Sequence, residues 1–88
     1  MEARLVLYNL ESCQECRSIR EMLAQLGLTY VCVNVSGSKK NRPEVFLASG
    51  QYGVPVLIDA HKVMTAEDNI LEYLVEHYSH NPVRPVKY

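Results

Sequence analysis

The chain predicts an α/β domain of element order β-α-β-α-β-β-α: a four-stranded mixed sheet flanked by three helices, with helices on both faces. Three observations carry this expectation. Short β-rich runs alternate with stretches of helical period. A Cys-x-x-Cys pair, Cys13 and Cys16, stands where the first strand-like run meets the first helix-like run. A Val54-Pro55 step opens the third strand-like run, a place where a strand tolerates proline. The first crossover is expected to be right-handed and to make the first two strands parallel neighbours. The last two strands are expected to form a hairpin.

Residues 3–8 (A-R-L-V-L-Y) read as the first strand, a near-continuous apolar run suited to a central position covered on both faces. Residues 9–12 form the following loop. Ser12 and Glu15 make a capping box, which places Cys13 in the first turn of a helix over 13–26. There, unpaired backbone N–H groups and the helix dipole favour negative charge, so a thiolate forms more easily than in free cysteine. Cys16 lies one turn further along the same face. Cys16, Ile19, Leu23 and Leu26 form one apolar stripe, and Gly27 stands where a glycine ends a helix.

Residues 29–35 (T-Y-V-C-V-N-V) are rich in β-branched side chains and read as the second strand, with Cys32 expected to be buried within it. Residues 36–42 form a polar loop. Pro43 suits the first turn of a short helix ending at Gly50, whose buried side is supplied by Val45, Phe46 and Leu47. Residues 54–59 form the third strand, and Val63 and Met64 return after a turn at 59–62. Thr65 and Asp68 repeat the capping-box pattern before a last helix. Its apolar face is Ile70, Leu71, Leu74, Val75 and Tyr78. The reading is one domain over 1–78 and a mobile or loosely docked tail over 79–88, which holds two prolines and no periodicity.

Composition narrows the function. The 88 residues are 48% hydrophobic and 22% charged, as expected of a globular domain rather than a disordered chain. A formal net charge of -1 creates no bulk field for nucleic acid or an anionic membrane. No apolar run approaches the ~18–20 residues that span a bilayer, and the opening Met1-Glu2-Ala3-Arg4 does not form a signal peptide. Three cysteines are too few and too odd in number for a secreted disulfide framework. They suit a reducing compartment, and the expectation is a cytoplasmic monomer. Asn34-Val35-Ser36 matches a glycosylation sequon, but nothing else points to secretion.

A Cys-x-x-Cys pair can be half a zinc site, a pair of cluster ligands or a dithiol switch. Structural zinc needs four ligands, and beyond the pair only Cys32, His61, His77 and His80 remain, with no second close-spaced pair among them. The strand–loop–Cys-x-x-Cys–helix context favours redox chemistry, because the helix start activates the first sulfur. No metal is expected.

These residues resemble the glutaredoxin family and the related N-terminal domain of glutathione transferases, over about residues 3–78. Three pieces carry the resemblance: Leu7-Tyr8-Asn9-Leu10-Glu11-Ser12-Cys13-Gln14-Glu15-Cys16-Arg17, where the family has Cys-Pro-Tyr-Cys; Gly50-Gln51-Tyr52-Gly53-Val54-Pro55, where glutaredoxins have Gly-x-Arg-Thr-Val-Pro; and Glu67-Asp68 at the last helix. The resemblance implies the thioredoxin fold, Cys13 as nucleophile and Cys16 as resolving thiol. It implies a cis-proline at Pro55 facing the sulfurs, with Val54 presenting its backbone to an extended substrate. Glu67 and Asp68 would receive the γ-glutamyl end of glutathione, although helix capping alone also accounts for them.

Departures from the pattern matter. Gln14 and Glu15 replace Pro and Tyr; Glu11 and Glu15 oppose thiolate formation at Cys13, while Arg17 and Arg20 support it. Tyr52 replaces the Arg that anchors the glycyl carboxylate of glutathione, a role Lys39, Lys40 or Arg42 could take over if they are more than a solvated loop.

The sequence therefore points to a dithiol thiol–disulfide oxidoreductase acting on disulfide-containing or glutathionylated proteins, with no bound cofactor and glutathione as reductant. Two alternatives stand beside it. One is a non-catalytic glutathione-binding or interaction domain like a transferase N-terminal domain. The other is a cluster-bridged dimer through Cys13.

Overall fold

The computed structural model describes residues 4–78, so the expectation of a tail over 79–88 lies outside the described residues. The elements are β1 (Leu5–Asn9), α1 (Gln14–Gln25), β2 (Val31–Asn34), a 3-10 turn (Lys39–Asn41), α2 (Pro43–Ser49), β3 (Val56–Asp59), β4 (Lys62–Thr65) and α3 (Glu67–Tyr78). The sheet order is β2-β1-β3-β4. β1 and β2 are parallel, while β3 is antiparallel to both β1 and β4. This is the expected element order and the four-stranded mixed sheet of the thioredoxin fold.

Side-chain alternation divides the core between the two faces of the sheet. Leu5 and Leu7 of β1, Leu57 and Met64 pack with Ile19 and Leu23 of α1 and Ile70 and Leu74 of α3. On the other face, Val56 packs with Val35 and with Val45 of α2, flanked by Tyr8, Leu10 and Val54. α1 ends with Gly27 at φ 69°, the left-handed conformation that glycine adopts without steric cost. Gly50 closes α2 in the same way at φ 81°.

Several expectations are corrected. The helix cap before α1 is Cys13, not Ser12, so Cys13 lies one residue before the first turn. β2 is shorter than the β-rich run because β1 offers it only four partners, Val6 to Asn9. Cys32 is exposed rather than buried: β2 is an outer strand, and the α1–α3 layer lies over β1, β3 and β4. In α2 only Val45 is buried, with Phe46 and Leu47 exposed. At about 100° per residue, they rotate away from the contact that a seven-residue helix makes through one side chain. Val75 is exposed for the same reason beside the buried Leu74. Thr65 does not cap α3: it is still paired with Val56 in the sheet, and the first helical bond runs from the Ile70 N–H to the Ala66 carbonyl.

The far end of the sheet is closed by a buried carboxylate. Asp59, at the end of β3, accepts hydrogen bonds from Tyr73 Oη at 2.6 Å, Tyr78 Oη at 2.7 Å and Arg4 Nε. Burial alone would raise the Asp59 carboxyl; these three hydrogen bonds and the Arg4 charge outweigh it and hold the group below its ordinary value. Burial first, and then the hydrogen bond to the Asp59 carboxylate and its charge, raise both tyrosines against the opposing Arg4 charge, and Tyr73 is pushed up to about 12.

Candidate active site at the start of the first helix

β1 ends at Asn9, and the chain turns through 10–13 before α1 begins. The Cys13 N–H donates to the Leu10 carbonyl at 3.0 Å, which closes this turn and sets the sulfur at the helix entrance. The Cys13 backbone is extended, and its Sγ accepts the Cys16 N–H at 3.3 Å. A sulfur thus occupies the capping position where an oxygen is customary, receiving one of the otherwise unpartnered N–H groups of the first turn. Cys13 is half-buried, Cys16 is fully buried, and both are free thiols. Burial is the main reason the Cys16 thiol is pushed up to about 12, and the adjacent Cys13 adds to it. A backbone hydrogen bond with Leu10 and the positive charge of Arg20 act in the opposite direction. The two sulfurs are therefore unequal: one is reachable, the other is held back as a neutral thiol.

Sheet register brings the other expected residues to the same end. Tyr8 pairs with Val56, and Val56 pairs with Thr65. The residues just before β3 and just after β4 therefore lie at the end of the sheet where β1 leads into Cys13. These are Val54 and Pro55 on one side, and Glu67 and Asp68 on the other. The Val54–Pro55 peptide bond is cis. Pro55 is buried, Val54 and Glu67 are half-buried, and Asp68 is exposed.

Of the three candidate cations in the 36–42 loop, Arg42 is only 5% exposed, neither a solvated side chain nor a free anchor. Its guanidinium donates to the Ser36 carbonyl at 2.8 Å and the Tyr52 carbonyl at 3.0 Å, tying the loop to the segment that leads into Val54. Lys39 and Lys40 are exposed and, with Tyr52, line an open cleft of about 410 Å³. The Tyr52 ring stacks on Phe46 at a centroid separation of 4.9 Å. Among the described residues, no group of three or more His, Cys, Asp or Glu side chains is placed to hold a metal ion. No helix among them is long and apolar enough to cross a membrane.

One polar residue escaped the sequence reading. Asn9 reads as the first residue of a loop, yet it ends β1 and is 1% exposed. It follows Leu5 and Leu7 in the period-two stripe that faces α1. The signal was the alternation itself, extended one position further into a polar side chain.

The profile of the glutathione S-transferase N-terminal domain matches residues 7–82. The chain belongs to this family. It is also 31% identical over 71 residues to an uncharacterized glutaredoxin-like 8.6 kDa protein of the rubredoxin operon of Clostridium pasteurianum, covering 80% of this chain and 95% of that one. Among solved structures, a glutathione transferase homologue from Drosophila mojavensis with bound glutathione superposes with a TM-score of 0.80 at 26% identity, covering 90% of this chain and 37% of that one. A glutathione transferase from Drosophila melanogaster gives a TM-score of 0.75 at 35% identity, covering 84% and 34% of the two chains. The chain thus spans little more than a third of the transferases it resembles and nearly all of the glutaredoxin-like protein. The family match and the structural neighbours agree with the thioredoxin-like α/β fold described above.

Proposed function

We propose that this domain is a glutaredoxin-like dithiol oxidoreductase that reduces disulfide-containing or glutathionylated proteins with electrons from glutathione. Its family and fold support a thiol- and glutathione-related function. The observation that carries the dithiol reading is the inequality of the two sulfurs. Cys13 is half-buried at the helix entrance, where an N–H points at it, and Cys16 is buried one turn behind as a neutral thiol. The first is suited to attack and the second to wait.

In the first step the Cys13 thiolate attacks one sulfur of a substrate disulfide. A Cys13–substrate disulfide forms, the substrate S–S bond breaks, and the other sulfur leaves as a thiolate. Cys16 then gives up its proton and attacks the Cys13 sulfur. The internal disulfide forms and the second substrate thiolate leaves, so two electrons have passed from the dithiol to the substrate. Two glutathione molecules restore the dithiol and become oxidised glutathione. In this mechanism the Val54 backbone pairs with an extended substrate, and Glu67 and Asp68, in the first turn of α3, receive the γ-glutamyl end of glutathione. This chemistry fits a soluble monomer of a reducing, cytoplasmic compartment.

The test is the mass of the chain after exposure to oxidised glutathione, in a Cys32→Ser background that removes the exposed third thiol. With both active-site cysteines, the expected product is an internal disulfide with no adduct. With Cys16→Ser, the expected product carries one glutathione on Cys13. A chain that binds a non-reducible glutathione analogue yet forms neither product is a binding domain and not an oxidoreductase.

A further inference from the structure

We propose that Asn9 and Arg20 form a polar brace that positions a positive charge against Cys16 and assists that sulfur when it attacks. The inference rests on the dithiol reading above and assigns two residues to its second step.

Arg20 is four residues after Cys16 on α1, one turn along the same face. Helical side chains lean toward the helix N-terminus, so the Arg20 side chain leans back toward the buried sulfur. It does not swing free. Its Nη1 donates to Asn9 Oδ1 at 2.5 Å. Asn9 is fully buried beneath α1, and its own Nδ2 donates to Asn34 Oδ1 at 2.9 Å. Strand β2, strand β1 and helix α1 are joined through one amide.

An apolar side chain at position 9 would continue the Leu5–Leu7 stripe and would leave the guanidinium with no buried acceptor. The amide occupies a core position and holds a charge that Cys16 needs only when it ionises. The environment of Cys16 supports this assignment: burial and the Cys13 thiol oppose its ionisation, and Arg20 favours it. Toward β2, Arg20 acts on Tyr30: burial and the Cys32 thiol oppose the ionised form of Tyr30, and Arg20 favours it. Cys32 donates to Asn34 Oδ1 at 3.6 Å. Glu67 and Asp68 open α3, the helix packed against α1.

A charge that favours thiolate by about one pKa unit raises the thiolate fraction about tenfold. Lower basicity takes back about half of that on a logarithmic scale, leaving a gain of about threefold in rate. The experiment loads Cys13 of the full Cys32→Ser chain with dithionitrobenzoate and follows thionitrobenzoate release by stopped flow. The first phase reports attack by Cys13, and the second reports attack by Cys16. Arg20→Gln is expected to slow the second phase about threefold and the first by clearly less, and Arg20→Lys to restore most of it. Asn9→Ala is expected to slow the second phase when Arg20 is present and to add nothing in Arg20→Gln, because it acts through that side chain. Equal loss in the Lys and Gln variants, equal slowing of both phases, or an additive effect of Asn9→Ala would overturn the assignment. Should Asn9→Ala not fold, the Gln and Lys variants decide. A chain with no second phase at all sinks the dithiol reading and the brace with it. A second phase indifferent to Arg20 sinks the brace alone.

Discussion

Asp59 and Asn9 are buried polar strand side chains at opposite ends of the sheet, and they are satisfied in different ways. At the far end Asp59 is charged, and three donors, one from Arg4 just before β1 and two from α3, close around its oxygens. At the thiol end Asn9 is neutral; it spends its oxygen on Arg20 and its nitrogen on Asn34. The first arrangement fastens the end of a helix to a sheet and offers no reactive atom. The second leaves a half-exposed sulfur at the helix start and a charge beside its buried partner. A buried polar group therefore marks a reactive site only when the atoms around it still have a bond to make.

The comparison predicts chemistry at one end and stability at the other. Cys13→Ser should abolish reduction of mixed disulfides, by about two orders of magnitude or more in an enzymatic turnover assay, with little change in the urea midpoint. Asp59→Ala should do the reverse. Removing the acceptor of three donors should cost roughly 3 kcal/mol of unfolding free energy in urea, while Cys13 remains reactive. If Asp59→Ala instead removed activity and left stability intact, the division between the two ends would be wrong.

The far end should also govern the pH limits of the fold. The folded Asp59 carboxyl lies below its unfolded value, so its stabilisation is present above about pH 4 and is lost as pH falls through the folded pKa. Asp59→Asn should flatten that acid limb. Tyr73 and Cys16 have raised values, so their contributions are complete below the unfolded pKa values, about 10 and about 8.5, and are lost as pH rises toward about 12. Unfolding midpoints measured above pH 9 should therefore fall steeply in the native chain and less steeply in Tyr73→Phe. The smallest effect is expected on the exposed face of α1. The exposed Arg17–Glu21 pair, with an N–O separation of 3.2 Å, should contribute at most about 0.5 kcal/mol by a double-mutant cycle.

Much of this was legible in one dimension. Local periodicity marks every strand and long helix, because a strand repeats every two residues and a helix every 3.6. Gly27 and Gly50 stand at helix ends, where the left-handed backbone suits glycine. What local pattern does not carry is the identity of the neighbours. Cys32 sits in a β-branched run that reads as core, yet it is exposed because β2 is an outer strand. Arg42 reads as solvated loop, yet it is buried because two carbonyls from separate segments converge on it. Thr65 has the spacing of a cap, but the sheet claims its backbone first.

The order of elements, the strand–thiol–helix junction and the Val-Pro step follow from the amino acids in line, since each depends on bonds between near neighbours. Which strand lies outermost, which end of the sheet gathers Cys13, Val54 and Glu67, and the burial of Asn9 beneath Arg20 depend on contacts between distant segments. Those contacts are settled when the layers pack, because burial is a property of what covers a residue and not of the residue itself.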